Sequence, residues 1–230
     1  METASMVSGW PPVLQRQVQV LVDQFLTGTG AAWIGIAGID RLGASGRVSG
    51  TMRIGGRIEA LGAHALTEAF VWVQGAEPEL WLDPRSTKYR DLFDEFARTR
   101  LGLAGRPRGD AWNIDHVFPK AAGALDGMTH VRALAIASGG NQALGRTVEK
   151  AMKGRADDVP GRKLIRHATW MTIGKAAGYE GWESLPDSAS AAGNAAAVRS
   201  LFAYLATRGI TAPAGALEES LTAHTLARIR

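Results

Sequence analysis

The residue types best suited to chemistry crowd into one stretch, Trp112 to Lys153. It reads WNIDHVFPK, then a glycine-containing loop, then HVRALAIAS, then GGNQALGRTVEKAMK. Asp115 and His116 adjoin each other, and Asn141 follows where a helix is expected to begin. A histidine exchanges its proton near neutral pH, with an ordinary pKa of about 6.5. A carboxylate and an amide carbonyl are hard oxygen donors of the kind that divalent magnesium prefers. A carboxylate, an imidazole and an amide converging on one platform beside a basic helix would suit metal-assisted hydrolysis of a phosphodiester. Taken singly, the parts have plainer uses: Asp-His arises often by chance, and an Asn before a helix is an ordinary N-cap.

The elements that must position these groups can be read from the pattern around them. On a strand, Trp112, Ile114, His116 and Phe118 share one face, while Asn113, Asp115 and Val117 share the other. Pro119 has no N–H to continue a ladder, so the strand is expected to stop there. Lys120 to Thr129 reads as a loop, His130 to Ser138 as a second strand pairing with the first, and Ser138 or Asn141 as the start of a helix. Leu144, Val148 and Met152 give that helix its apolar stripe, with Arg146, Lys150 and Lys153 on another face. These three cations could track a nucleic-acid backbone as phosphate contacts.

The segment resembles the HNH (ββα-metal) nuclease module, including the version found in CRISPR effector nucleases and many bacterial nuclease toxins. The matching residues are Asp115-His116, the following Val117-Phe118-Pro119, and Asn141 with Gly145. The resemblance spans roughly 45 residues. It implies His116 as the general base that deprotonates the attacking water. It implies Asp115 and Asn141 as ligands of Mg²⁺ or another divalent cation such as Mn²⁺. His130 stands near the place where many such modules carry a residue that orients the base or steadies the loop. The segment departs from the family in carrying Glu149 before Lys150, where a His or Asn is frequent, and in lacking a cysteine knuckle. The resemblance further implies an endonuclease acting on DNA, with RNA as the alternative substrate. Its setting would be a bacterial toxin or defence effector, and a toxin would need a neutralising immunity protein.

The remainder of the chain supplies fold. Pro11 and Pro12 open a helix whose inner face is Leu14, Val18, Leu21, Val22 and Phe25. Ala31–Ile39, Arg47–Ile54, Ala69–Val73 and Leu80–Leu82 read as strands, and Ile58–Glu68 as either strand or helix. Ser86 is the expected N-cap of a helix with Tyr89, Leu92, Phe93 and Phe96 on its apolar stripe. After the break at Pro160, helices are expected from Lys163 to about Lys175, from Ser190 to Thr207 and from Leu217 to Ile229. The fold class expected is α+β. It comprises an N-terminal α/β region over 1–105, a ββα-metal module over 106–155 and a helical region over 156–230, or one compact domain containing all three. His64, His167 and His224 have no partner pattern and read as structural.

Composition sets the outer bounds. The 230 residues include no cysteine, which excludes disulfides, thiolate zinc sites and a cysteine nucleophile. The longest apolar stretch, Phe25 to Ile39, is short and broken by Gly28, Gly30, Gly35 and Gly38, so no membrane partner is expected. The first ten residues carry Glu2 and no Lys or Arg, so a cytoplasmic protein is expected, with export only by a route that needs no N-terminal signal. The net charge is +4, and eleven basic against six acidic residues between Arg106 and Arg166 place an excess of five in the central window. Lys120, Arg132, Arg146, Lys150 and Lys153 are the candidate nucleic-acid contacts within it. The same surface without turnover would make a non-catalytic nucleic-acid-binding protein. A third possibility is an interaction protein whose central stretch is ordinary core.

Overall fold

A computed structural model of the chain describes residues 10–27, 32–43, 53–104, 111–125, 127–145, 165–184 and 191–220. The fold is α+β. Its strands are β1 (Trp33–Ile36), β2 (Leu42–Gly43), β3 (Arg53–Ile54), β4 (Arg57–Ala60), β5 (Ala69–Gln74), β6 (Glu77–Leu82), β7 (Trp112–His116), β8 (His130–Ala137) and β9 (Ile165–His167). Its helices are α1 (Pro12–Leu26), α2 (Tyr89–Arg100), α3 (Lys120–Leu125), α4 (Ser138–Leu144), α5 (Trp170–Ala177) and α6 (Ala191–Thr207). Seven strands form one antiparallel sheet in the order β4-β5-β6-β8-β1-β9, with β7 also paired to β8. β2 and β3 form a separate parallel pair.

β8 is the hub of this sheet. Its sequence HVRALAIA is an almost unbroken apolar run, and all eight residues are buried, as expected of a strand covered on both faces. β6 pairs with it at Val131–Ala133, β1 at His130–Val131, and β7 at Ala133–Ala137. Strands from the three regions set apart in the sequence thus belong to one sheet. α1 packs on β6 and β8, α2 on β6, and α5 on β8 and α1. The apolar stripe of α2, Leu92, Phe93 and Phe96, is buried as its spacing requires.

Four elements differ from the sequence pattern, each for a local reason. The segment expected as a helix from Lys163 begins instead as β9, because Ile165, Arg166 and His167 fill the second edge of β1. Helix α5 starts only at Trp170, where Thr169 and Thr172 form a capping box: the Thr172 N–H donates to Thr169 Oγ1 (3.3 Å) and the Thr169 N–H to Thr172 Oγ1 (3.1 Å). The loop after Pro119 folds into α3. Ser86 is not the cap of α2; its hydroxyl accepts from the Lys88 N–H one turn earlier, and the helix begins at Tyr89. The Ile58–Glu68 stretch resolves as a strand through Ala60 followed by turns. Of the strand expected over Arg47–Ile54, Arg53 and Ile54 lie in β3 and 47–52 lies outside the described residues. Residues 216–220 are helical, and the rest of the expected last helix lies outside the described residues.

Candidate active site

Strand β7 carries Asp115 and His116 on opposite faces, as alternation dictates. Its register sets Asp115 beside Leu134 and His116 beside Ala133. The ladder then runs one step further, with the Val117 N–H donating to the Arg132 carbonyl at 2.8 Å, before Pro119 ends it. Each face meets a different helix. Asp115 turns to α5, where the Lys175 ammonium donates to its Oδ2. His116 turns to α2, where its ring lies 5.1 Å from that of Tyr89. The two groups therefore do not share one platform.

Asp115 is 25% exposed, and Lys175 is 1% exposed. A buried ammonium is tolerated when a carboxylate compensates it, and this pair satisfies that demand. Lys175 is the partner of Asp115 that the sequence did not reveal. Its signal was there, as the lone charge in the apolar run WMTIGKAAGY.

His116 is 2% exposed, and its Nε2 is buried with no hydrogen-bond partner among the described residues. Burial pushes its pKa down to about 4, against the opposing charge of Asp115 and with help from Lys120 and Lys175. The imidazole is therefore neutral at pH 7. The sign for stability follows directly. The unfolded histidine takes up a proton below its ordinary pKa, while the folded one does not until about 4, so stability falls as the pH drops through that window. Between pH 7 and pH 5 the loss from His116 is about 2 kcal/mol, and His130, also lowered by burial, acts in the same direction. Urea midpoints at the two pH values check this, and a His116→Asn variant should lose much of the acid sensitivity. An equal slope in the variant would show that His116 titrates normally in the fold.

The other candidates separate into three groups. His130 is buried and holds the chain together: with the Leu66 carbonyl as partner at 2.8 Å, Nε2 must carry the proton, leaving Nδ1 to accept from the Thr129 hydroxyl at 3.0 Å. It ties the start of β8 to the 61–68 turns and is not beside His116 on β7. Asn141 is half-buried in the fourth position of α4, whose N-cap is Ala137, so it is no cap. Its helix, α4, packs on β7 and α5. That approach needs glycine, since a Cβ on Gly140 would stand 2.9 Å from the Gly178 backbone. Gly178 itself ends α5 at φ 87°, a left-handed conformation.

Of the proposed phosphate contacts, Lys120 is exposed, with its Nζ 5.4 Å from the centre of the Tyr89 ring. Arg132 is corrected: it is wholly buried, donating to Gln24 Oε1 at 2.7 Å and paired with Glu79 at 3.5 Å, and cannot reach a phosphate backbone. Arg146, Lys150 and Lys153 lie outside the described residues.

The chain matches no family model, no curated protein and no solved structure. Function must therefore be argued from these residues alone.

Proposed function

We propose that the protein is a metal-dependent endonuclease that hydrolyses phosphodiester bonds of DNA, with His116 as general base. The observation that carries this reading is His116 itself. It is a buried, neutral imidazole with an orphaned Nε2, at the end of β7, a strand that pairs with β8. Buried polar atoms without partners are rare enough to need a reason, and catalysis is one. The resemblance to HNH nucleases rests on the residues of this stretch, since the helix α3 intervenes between its two strands.

The donor types suit a hard divalent ion, with carboxylate oxygens on Asp115 and an amide oxygen on Asn141 of α4, and such an ion could act with His116 only once Asp115 leaves Lys175 and the two faces of β7 are brought to one phosphate. Such an ion, when bound, supplies positive charge that stabilises the phosphate and the leaving oxygen. The protein's own residues do the rest. His116 accepts the proton of the attacking water at Nε2. Tyr89 lies against that imidazole, with Lys120 over the Tyr89 ring, and both must swing aside for water and phosphate to enter, as catalytic contacts often form only when substrate is bound. Lys120, freed, would then meet a phosphate oxygen.

Lys175 is the competitor for Asp115, because its ammonium already neutralises that carboxylate. A Lys175→Met variant is therefore expected to bind Mn²⁺ at least about tenfold more tightly by calorimetry. Unchanged affinity would remove Asp115 from the ligand set. The direct test of the function is incubation of purified protein with plasmid and Mg²⁺, with and without chelator. Nicking that the chelator abolishes is expected; intact plasmid under every divalent ion would overturn the proposal.

One observation favours a second reading, a nucleic-acid-binding protein without turnover. Asp115 is paired and His116 is covered, so neither is open to a substrate without rearrangement. Salt-sensitive DNA binding with no cleavage would select it. On the first reading the setting is a bacterial toxin or defence effector, and a toxin would be held in check by an immunity protein.

A further inference from the structure

At the corner where α2 begins, two exposed cations share one aromatic ring. The Arg90 guanidinium carbon lies 5.1 Å from the centre of the Tyr89 ring, and the Lys120 Nζ lies 5.4 Å from it. Tyr89 in turn rests against His116, the buried imidazole whose Nε2 has no partner among the described residues. Two acids of this corner are committed to other cations: Asp83 pairs with Arg85 at 3.3 Å, and Glu68 with Lys88 at 3.6 Å. Asp91 follows Arg90 on α2 and, among the described residues, forms no ion pair with it or with Lys120. Arg90 and Lys120 thus face water over a ring, with no carboxylate among the described residues to neutralise them.

We infer that Arg90 and Lys120 are a two-cation seat for a phosphate of the substrate strand, and that seating it releases Tyr89 from His116. The inference rests on the nucleic-acid reading above. Charge selects the ligand, because two uncompensated cations on one corner attract an anion and repel another cation. Chemistry narrows it further. A phosphodiester presents two anionic oxygens, which a planar guanidinium meets with its fork of N–H donors and an ammonium meets as a point charge. Both side chains are long and exposed, so they can close on one such group. A cation over an exposed aromatic face is held more weakly than one hydrogen-bonded to an ionised oxygen, so the phosphate wins both cations from the ring.

Position couples the seat to the proposed chemistry. A ligand shifts a conformational equilibrium only by binding one state better than the other. Here that difference is built into the corner. While Arg90 and Lys120 lie on the Tyr89 ring, they help to hold it in place over His116. Once they turn to a phosphate, the ring loses both contacts and the imidazole can be uncovered. The strand that fills the seat is then the strand beside His116, so the base meets water only when substrate is present. The covering of His116 is on this account the resting state of a site that its own substrate opens.

The test reads seating and opening apart from cleavage, with the full chain in EDTA. A fluorescein-labelled oligodeoxynucleotide is titrated at several salt concentrations and followed by anisotropy. Arg90→Gln and Lys120→Gln should each lower the slope of log affinity against log salt by about one unit. Arg98→Gln, which removes an exposed cation from the last turn of α2, should leave the slope unchanged. NMR of the histidine rings reports the opening, since the Tyr89 ring 5.1 Å away sets the environment of His116. Saturating oligonucleotide should move the His116 ring signal in the wild type and leave it in place in Arg90→Gln/Lys120→Gln. Unchanged slopes in both single variants would overturn the inference, as would a His116 signal that stays still in the wild type or moves equally in the double variant. Failure to bind any strand would remove the nucleic-acid reading and the seat with it, whereas binding with unchanged slopes removes the seat alone. The expected slopes and signal in a protein that cuts nothing with Mg²⁺ would uphold the seat and sink the hydrolysis.

Discussion

Replacing His116 with alanine is expected to reduce Mg²⁺-dependent plasmid cleavage by about 10²–10⁴-fold, the range that a positioned general base contributes. The reason is specific to this imidazole. Its Nε2 is a buried ring nitrogen that no described residue bonds, and a pKa of about 4 keeps the imidazole neutral across the whole neutral range. The substitution removes a ring that contacts Tyr89 and deletes no hydrogen bond of Nε2. The fold should therefore survive, which circular dichroism and an unchanged affinity for DNA in EDTA can establish. If expression of the wild type arrests bacterial growth, the same variant should relieve the arrest. Undiminished cutting by a folded His116→Ala protein would falsify the mechanism, and harmless high-level expression of an active wild type would count against the toxin setting.

Much of the frame around this histidine was legible because it depends on short-range patterns. Alternation along WNIDH, the missing N–H of Pro119 and the apolar run HVRALAIA are enough to predict two paired strands, and the structure has them. The stripe of Leu92, Phe93 and Phe96 likewise predicts α2. What was not legible depends on partners far along the chain. Ile165–His167 is too short to declare itself a strand, and becomes one only because β1 presents an open edge more than a hundred residues earlier. The ammonium that meets Asp115 comes from Lys175, sixty residues on. Counting charges also misled, because a count does not know which cations are buried. Arg132 and Lys175 are both lone charges inside apolar runs, and that context, more than their sign, foretold that each would need an internal partner.

Arg132 carries the largest expected effect on stability. Its guanidinium sits between β8, β6 and α1, completely out of solvent, in a network with three other side chains. It donates to Gln24 Oε1 at 2.7 Å and lies 3.5 Å from Glu79. The Gln24 amide donates to Glu79 Oε1 at 2.7 Å, and the Trp81 indole N–H to Glu79 Oε2 at 3.3 Å. Replacing Arg132 with methionine keeps most of the volume but leaves the 1%-exposed carboxylate of Glu79 without its cation. Breaking a buried pair from one side costs about 3–5 kcal/mol, a large share of the roughly 5–15 kcal/mol that holds a domain folded. The cost comes from the stranded charge more than from the lost contact, so neutralising that charge should recover most of it. In Arg132→Met/Glu79→Gln the new amide can still accept from Trp81 and donate to Gln24, and chemical denaturation should place the double variant within about 1–2 kcal/mol of wild type. A double variant no more stable than the single one would show that the arginine is needed for its own hydrogen bonds. The same protein tests the corrected assignment. Removing a true phosphate contact lowers the salt dependence of DNA binding by about one unit of slope, whereas loss of a buried Arg132 should leave that slope unchanged.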